Sequence, residues 1–198
     1  MGRPRQFDER QAVADACQVF WAKGFDGTST ADLCEAMGLN RSSLYNTFLS
    51  KEQLFRLSLV HYIAATTARQ DKFLEVPGKS GLERLRILLT AIAEDEIASR
   101  ATGNGFGCFI VNTITSIAAR NAEIAHLIDA DLQKRIAALS AAVQIGQTDG
   151  SINKERDPRE TAWYITTVIS GMRVSAQSGA NKRILDALAE IALHALAN

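Results

Sequence analysis

The sequence predicts an all-α fold, and three observations carry the prediction. Proline occurs only at Pro4, Pro77 and Pro158, each where no helix needs to run through it. Apolar residues recur at three- and four-residue spacing, and strict alternation of Val, Ile and Thr is scarce. Cap and stop residues then divide the chain into nine segments of helical length.

Asp8 and Gln11 form a capping pair for a first helix with inner face Val13, Cys17, Phe20 and Trp21, and Gly24 is expected to end it. Ser29 and Asp32 start a short second helix that Gly38 stops. Asn40 caps a short third helix ending near Phe48, and Ser50 caps a long fourth that buries Leu54, Leu57, Tyr62 and Ile63. Glu75 to Ser80, with Pro77 and Gly78, reads as a connection. Ser80 and Glu83 open a fifth helix running to about Arg100, and Gly103 to Gly107 breaks the pattern. A sixth helix follows through Ile110 and Ile114. Asn121 caps a seventh, expected to fail near Gly146 to Gly150. Asp157-Pro158-Arg159-Glu160 combines an N-cap, a proline at the first helical position and a first-turn acid, so it starts an eighth helix. Gly179 ends it, and a ninth helix fills the remainder.

The chain has 198 residues, 46% hydrophobic and 22% charged, which suits an ordinary soluble globule with a sizeable core. Formal net charge is zero, so nucleic-acid binding would rest on a local basic surface. Cys17, Cys34 and Cys108 are odd in number and scattered, which fits reduced thiols and no disulfide framework. The start, Met1-Gly2-Arg3-Pro4-Arg5, lacks the apolar stretch of a signal peptide, and no membrane-length apolar run follows. A cytoplasmic location, with no membrane partner, is therefore expected. His61, His126 and His194 show no metal-ligand spacing, and no cofactor motif is present.

The second and third segments are joined by Met37-Gly38-Leu39-Asn40, the grammar of a helix-turn-helix. In the third, Leu44 and Phe48 are four apart and face inward. Arg41, Ser42, Ser43, Tyr45, Asn46 and Thr47 remain for the outside. Arg can pair with guanine, Ser with several base edges, and Tyr with phosphate. No acid lies between Asn40 and Ser50, and Thr30 and Lys51 sit at helix starts that suit a phosphate. Arg3 and Arg5 form a short basic arm that can reach a neighbouring groove.

Phe7-Asp8, Lys23-Gly24-Phe25, Thr28-Ser29-Thr30-Ala31-Asp32-Leu33, Gly38-Leu39, Ser43-Leu44-Tyr45, Phe48 and Ser50-Lys51-Glu52-Gln53-Leu54 together resemble the DNA-binding domain of TetR-family regulators. The resemblance covers roughly the first quarter of the chain. Ser42 stands where the family often has Gly, Thr47 where it has His or Tyr, and Cys34 where it has Ala. It implies DNA contacts from Thr30, Arg41, Ser42, Ser43, Tyr45 and Lys51. It also implies a nine-helix fold: a helix-turn-helix domain over residues 1–52, then an effector-binding and dimerisation domain over residues 53–198. Repression of transcription at double-stranded operator DNA by a homodimer, relieved by a small effector, is the function it implies.

Two helices offer a dimer face. The ninth has Ile184, Leu188, Ile191 and Ala195 on one line and Leu185, Ala192 and Leu196 on the next. The eighth offers Ile165, Ile169, Met172 and Ala176. Candidate effector-pocket residues are Phe106, Phe109, Asn112, Trp163, Thr167, Met172 and Arg173, apolar with a few polar groups. Cys108, at the start of the sixth helix, is either a sensing thiol or a small packing residue. Two rival functions stand beside this one: a helical enzyme, and a DNA-binding protein without a small effector. Gly103-Asn104-Gly105-Phe106-Gly107 follows a helix and lacks the Lys-Ser/Thr ending of a phosphate loop.

Overall fold

In a computed structural model, residues 7–103 and 105–197 are described, and they form nine α-helices and no strand. Arg3 and Arg5 lie outside these residues. The helices are α1 (Glu9–Gly27), α2 (Thr30–Met37), α3 (Arg41–Phe48), α4 (Lys51–Leu74), α5 (Gly81–Ala101), α6 (Phe109–Ser116), α7 (Ala122–Asp149), α8 (Pro158–Gln177) and α9 (Lys182–His194). A 3₁₀ turn at Ala118–Arg120, unexpected from sequence, joins α6 to α7.

Local hydrogen bonds explain most boundaries. Ser29 and Asp32, like Ser80 and Glu83, form reciprocal capping boxes. Asn40, Ser50, Asn121 and Asp157 each accept from first-turn amides, as does Asn181 at α9. Gly38 and Gly150 take left-handed conformations and stop α2 and α7. Two expectations fail. Gln11 does not complete a box with Asp8; its amide donates to Asp15 four residues on. Gly24 kinks α1 at φ 70°, ψ 173° without ending it, because a further helical turn follows to Gly27. Helix α7 ends at Gly150, within the expected span, after running through Gly146, where Gly81 of α5 packs backbone to backbone against it with no room for a methyl group.

Two buried apolar clusters organise the chain. One lies between α5, α7, α8 and α9 around Leu85, Leu89, Ile136, Val143, Ile165 and Leu193. The other joins α1–α3 to the first half of α4 and to α6, so Phe20, Leu44 and Phe55 share a core with Phe109, Ile110 and Ile124. The helix-turn-helix therefore rests directly on the elements that frame the pocket. The α8 dimer residues expected from sequence require correction. Ile165, Ile169, Met172 and Ala176 are all buried in the chain's own core. The outward line of α8 is Trp163, Tyr164, Thr167, Gly171 and Val174. On α9 one of the two lines offered as a dimer face requires the same correction: Leu185, Ala192 and Leu196 are buried in the chain's own core, whereas Ile184 and Ile191 are 39% and 66% exposed.

Candidate nucleic-acid interface and effector pocket

Helix α3 is held by its buried side, leaving its polar side free. Leu44 and Phe48 are buried, Arg41, Ser42 and Asn46 are exposed, and Ser43, Tyr45 and Thr47 are half-buried. The Tyr45 hydroxyl lies 3.1 Å from Thr30 Oγ1, which ties the recognition helix to the start of α2. That hydrogen bond, and to a smaller extent Arg41, holds the Tyr45 hydroxyl below the usual phenol range. The Arg41 guanidinium sits 5.8 Å from the Tyr45 ring centroid, and Lys51 Nζ lies 4.4 Å from that of Phe25. Thr30, Arg41 and Lys51 thus stand at adjoining helix starts, with the Tyr45 hydroxyl brought beside Thr30 and the α2 and α4 termini adding their positive dipole ends.

The joint between α3 and α4 is two residues, Leu49 and Ser50. Leu49 has φ 64° and ψ −51°, and Ser50 N–H donates back to the Phe48 carbonyl at 2.7 Å. This is a γ-turn of the strained, positive-φ form. Leu49 is the one non-glycine residue with positive φ among the described residues. Its side chain is 77% exposed beside the polar face of α3.

The effector candidates divide between two cavities. Cys108, Trp163, Thr167 and Arg173 line one of about 240 Å³ between α6, α7 and α8, completed by Ile110, Val111, Ile114, Ile128, Leu132, Arg135, Thr166 and Ser170. Phe106, Phe109 and Asn112 line a different cleft against α1 and Phe55. Met172 lines neither of these two, because it points into the core at 1% exposure.

Cys108 is the N-cap residue of α6, with a buried side chain that makes no cap hydrogen bond. Arg173 Nη1 lies 3.0 Å from its sulfur, and the Tyr62 hydroxyl donates to the same sulfur at 3.7 Å. Burial pushes the Tyr62 hydroxyl up, so it stays a donor. Arg173 also pairs with Glu96 at 3.6 Å, and burial raises the Glu96 carboxyl. Arg173 lines a second cavity of about 230 Å³ on its far side, with Trp21, Tyr62, Arg69, Asp95 and Glu96. Arg173 therefore borders both cavities.

A buried ion pair braces the neighbouring wall. Asp131, 3% exposed, pairs with Arg135 at 2.9 Å and accepts from Thr67 of α4 at 3.0 Å. Tyr62, Glu96, Asp131 and Arg135 are functional candidates that the sequence reading missed. A tyrosine on the inward side of a helix was the available signal, since a buried phenol needs a polar partner.

Comparison with known proteins fits this architecture. Residues 12–57 match the family model for bacterial regulatory proteins of the tetR family, and residues 81–192 match that for the tetracyclin repressor-like C-terminal domain. The chain belongs to the TetR family. It is 32% identical over 191 residues to the HTH-type transcriptional repressor ComR of Escherichia coli, covering 96% of this chain and 88% of that one. It is 28% identical over 201 residues to the repressor BdcR of the same organism, covering 98% and 92%. A cysteine-substituted form of the TetR family regulator CifR, complexed with 26-base-pair double-strand operator DNA, superposes with a TM-score of 0.85 at 30% identity. That match covers 98% of this chain and 100% of CifR. Members of this family are transcriptional regulators and not enzymes, which removes the enzyme reading. No described helix is long and apolar enough to cross a membrane.

Proposed function

We propose that this TetR-family protein is a cytoplasmic transcriptional repressor that binds double-stranded operator DNA as a homodimer. The observation that carries the reading is the face of α3. Six polar residues surround two buried anchors, with no acid among them and with Thr30 and Lys51 alongside. Residues 1–52 supply the DNA contacts, namely Thr30, Arg41, Ser42, Ser43, Tyr45, Asn46, Thr47 and Lys51, with Arg3 and Arg5 as a basic arm. Residues 53–198 supply dimerisation and effector response.

The dimer reading is supported by the outward apolar lines of α8 and α9. Gly171 on α8 has open space where a side chain would stand, which suits a close helix crossing. A two-fold pair would set the recognition helices about 34 Å apart, one turn of DNA. Release follows when a small molecule fills the cavity lined by Cys108, Trp163, Thr167 and Arg173, or modifies the Cys108 thiol. Either event favours a state in which the recognition helices are wrongly spaced. Phe106, Phe109 and Asn112 act from the adjoining cleft, and Met172 acts by shaping the wall behind.

Selection of duplexes from a random DNA library, followed by mobility shift on the winning sequence, tests the reading. A near-palindromic duplex should emerge, and its binding should be lost in the Arg41→Ala, Tyr45→Ala double variant. A folded dimer that enriches no sequence would overturn it. Cys108→Ser then separates the two release routes, because it abolishes only the covalent one.

A further inference from the structure

Helix α1 belongs to the DNA-binding layer, yet one of its side chains is anchored to the backbone beside the pocket thiol. Trp21 Nε1 donates to the Gly107 carbonyl at 2.8 Å, across 86 residues of chain. Gly107 immediately precedes Cys108. The same indole packs edge-on against Tyr62, ring centroids 5.0 Å apart, and the Tyr62 hydroxyl touches the Cys108 sulfur. Two routes therefore run from Sγ to Trp21, one through the backbone and one through the Tyr62 ring.

The loop end of this tie is stiff. Gly107 is buried at φ 69°, and a methyl group there would overlap the Gln177 amide. The Phe106 carbonyl accepts from both Asn112 and Gln177 at 2.8 Å, so α6 and α8 clamp the loop. The other end is close to a natural bend, since Gly24 breaks helical geometry three residues after Trp21. A second tie to α1, Arg120 with Asp26, is exposed on both sides and holds little. The indole has a single N–H donor, and this hydrogen bond uses it, so α1 follows the carbonyl.

We propose that Trp21 is the latch through which the Cys108 pocket sets the position of α1, and with α1 the recognition helix. This rests on the reading that events at the pocket release DNA. Displacement of the 105–108 loop pulls the indole, and α1 moves against α4. Without the N–H, the direct tie between loop and α1 is cut, ring packing alone passes on little of the displacement, and α1 stays close to the position that Phe20, Phe25 and Phe55 give it.

A double-variant cycle on operator affinity tests the latch without any effector. Trp21→Phe keeps an aromatic ring and removes the donor; it should bind the selected duplex within about threefold of the wild type. Gly107→Ala displaces the loop and should weaken binding at least tenfold when Trp21 is present, but less than threefold in the Trp21→Phe background. Equal losses in both backgrounds overturn the proposal, as does a tenfold loss from Trp21→Phe alone, which would mark it as structural. If Gly107→Ala does not fold, Gln177→Ala loosens the same clamp and enters the same cycle. Alkylating Cys108 with N-ethylmaleimide addresses the underlying reading separately. Unchanged wild-type affinity after alkylation would remove thiol sensing, while the cycle still decides the latch.

Discussion

The Arg173 guanidinium touches the Cys108 sulfur, with Nη1 3.0 Å from Sγ. A negative charge on that sulfur would meet a cation and the Tyr62 O–H at once. Replacing Arg173 with Met should slow alkylation of Cys108 by iodoacetamide about tenfold, a barrier change of about 1.4 kcal/mol. Lys at the same position should restore part of the rate. Cys17 serves as an internal control, because burial pushes its thiol up to about 12 and it should stay unreacted near neutrality. Peptide mass mapping over time reads both sites. Equal rates in the wild type and the Met variant would show that the guanidinium does not activate the thiol.

Contacts on the recognition face should separate by type. Arg41→Ala should cost about 1–3 kcal/mol on the selected duplex and relax preference at one base position. Lys51→Ala should weaken all duplexes alike and reduce the salt slope of log K by about one. Mobility shifts across a salt series distinguish the two. A Lys51 variant that changed sequence preference would contradict its placement at a phosphate.

Ile191 is the most exposed large hydrophobic residue on α9, at 66%. Ile191→Lys should convert a dimer to folded monomer, seen as a halved mass by sedimentation with an unchanged helical spectrum. Ile165→Lys should instead unfold the chain, since Ile165 is 1% exposed in the core. Dissociation without unfolding in the Ile165 variant would restore the face originally expected on α8.

Two capping carboxylates set an acid limit. Asp32 is held at about 2 by Lys23 and Ser29, and Glu83 at about 2 by Ser80 and Lys79. Both are depressed below their ordinary values of 3.8 and 4.5, so the unfolded chain binds the protons first. Their stabilising contribution is complete above those values and fades as pH falls toward 2. Melting temperature should therefore drop across that window, and Asp32→Asn should flatten part of the slope. An identical slope in the variant would place the acid sensitivity elsewhere.

Much of the fold was legible because its signals are local. Ser29 with Asp32, Asn40, Ser50, Ser80 with Glu83 and Asp157-Pro158 each determine a boundary within one helical turn. Gly24 was misread because a glycine that kinks a helix and one that ends it look alike until the following turn is known. The α8 face was misread for a different reason. Ile165, Ile169, Met172 and Ala176 have the same periodicity whether they meet their own core or a second copy. On α9 the same ambiguity held for Leu185, Ala192 and Leu196, which face the chain's own core while Ile184 and Ile191 face out. The effector candidates split because cavity membership depends on how α6 crosses α1 and α8, which spacing along one helix does not encode. Trp21 looked like plain core in the sequence, and only the fold brings it to Gly107.

Leu49 carries a consequence for how the protein can be altered. A leucine at φ 64° in a γ-turn gives up about 1–3 kcal/mol that glycine would not. Gly there should raise the melting temperature, yet it would also free the angle at which the reading head meets the long shaft of α4. The molecule forgoes robustness at this spot and gains a fixed aim, so a change that would stabilise the chain here is also one that would blunt its choice of DNA.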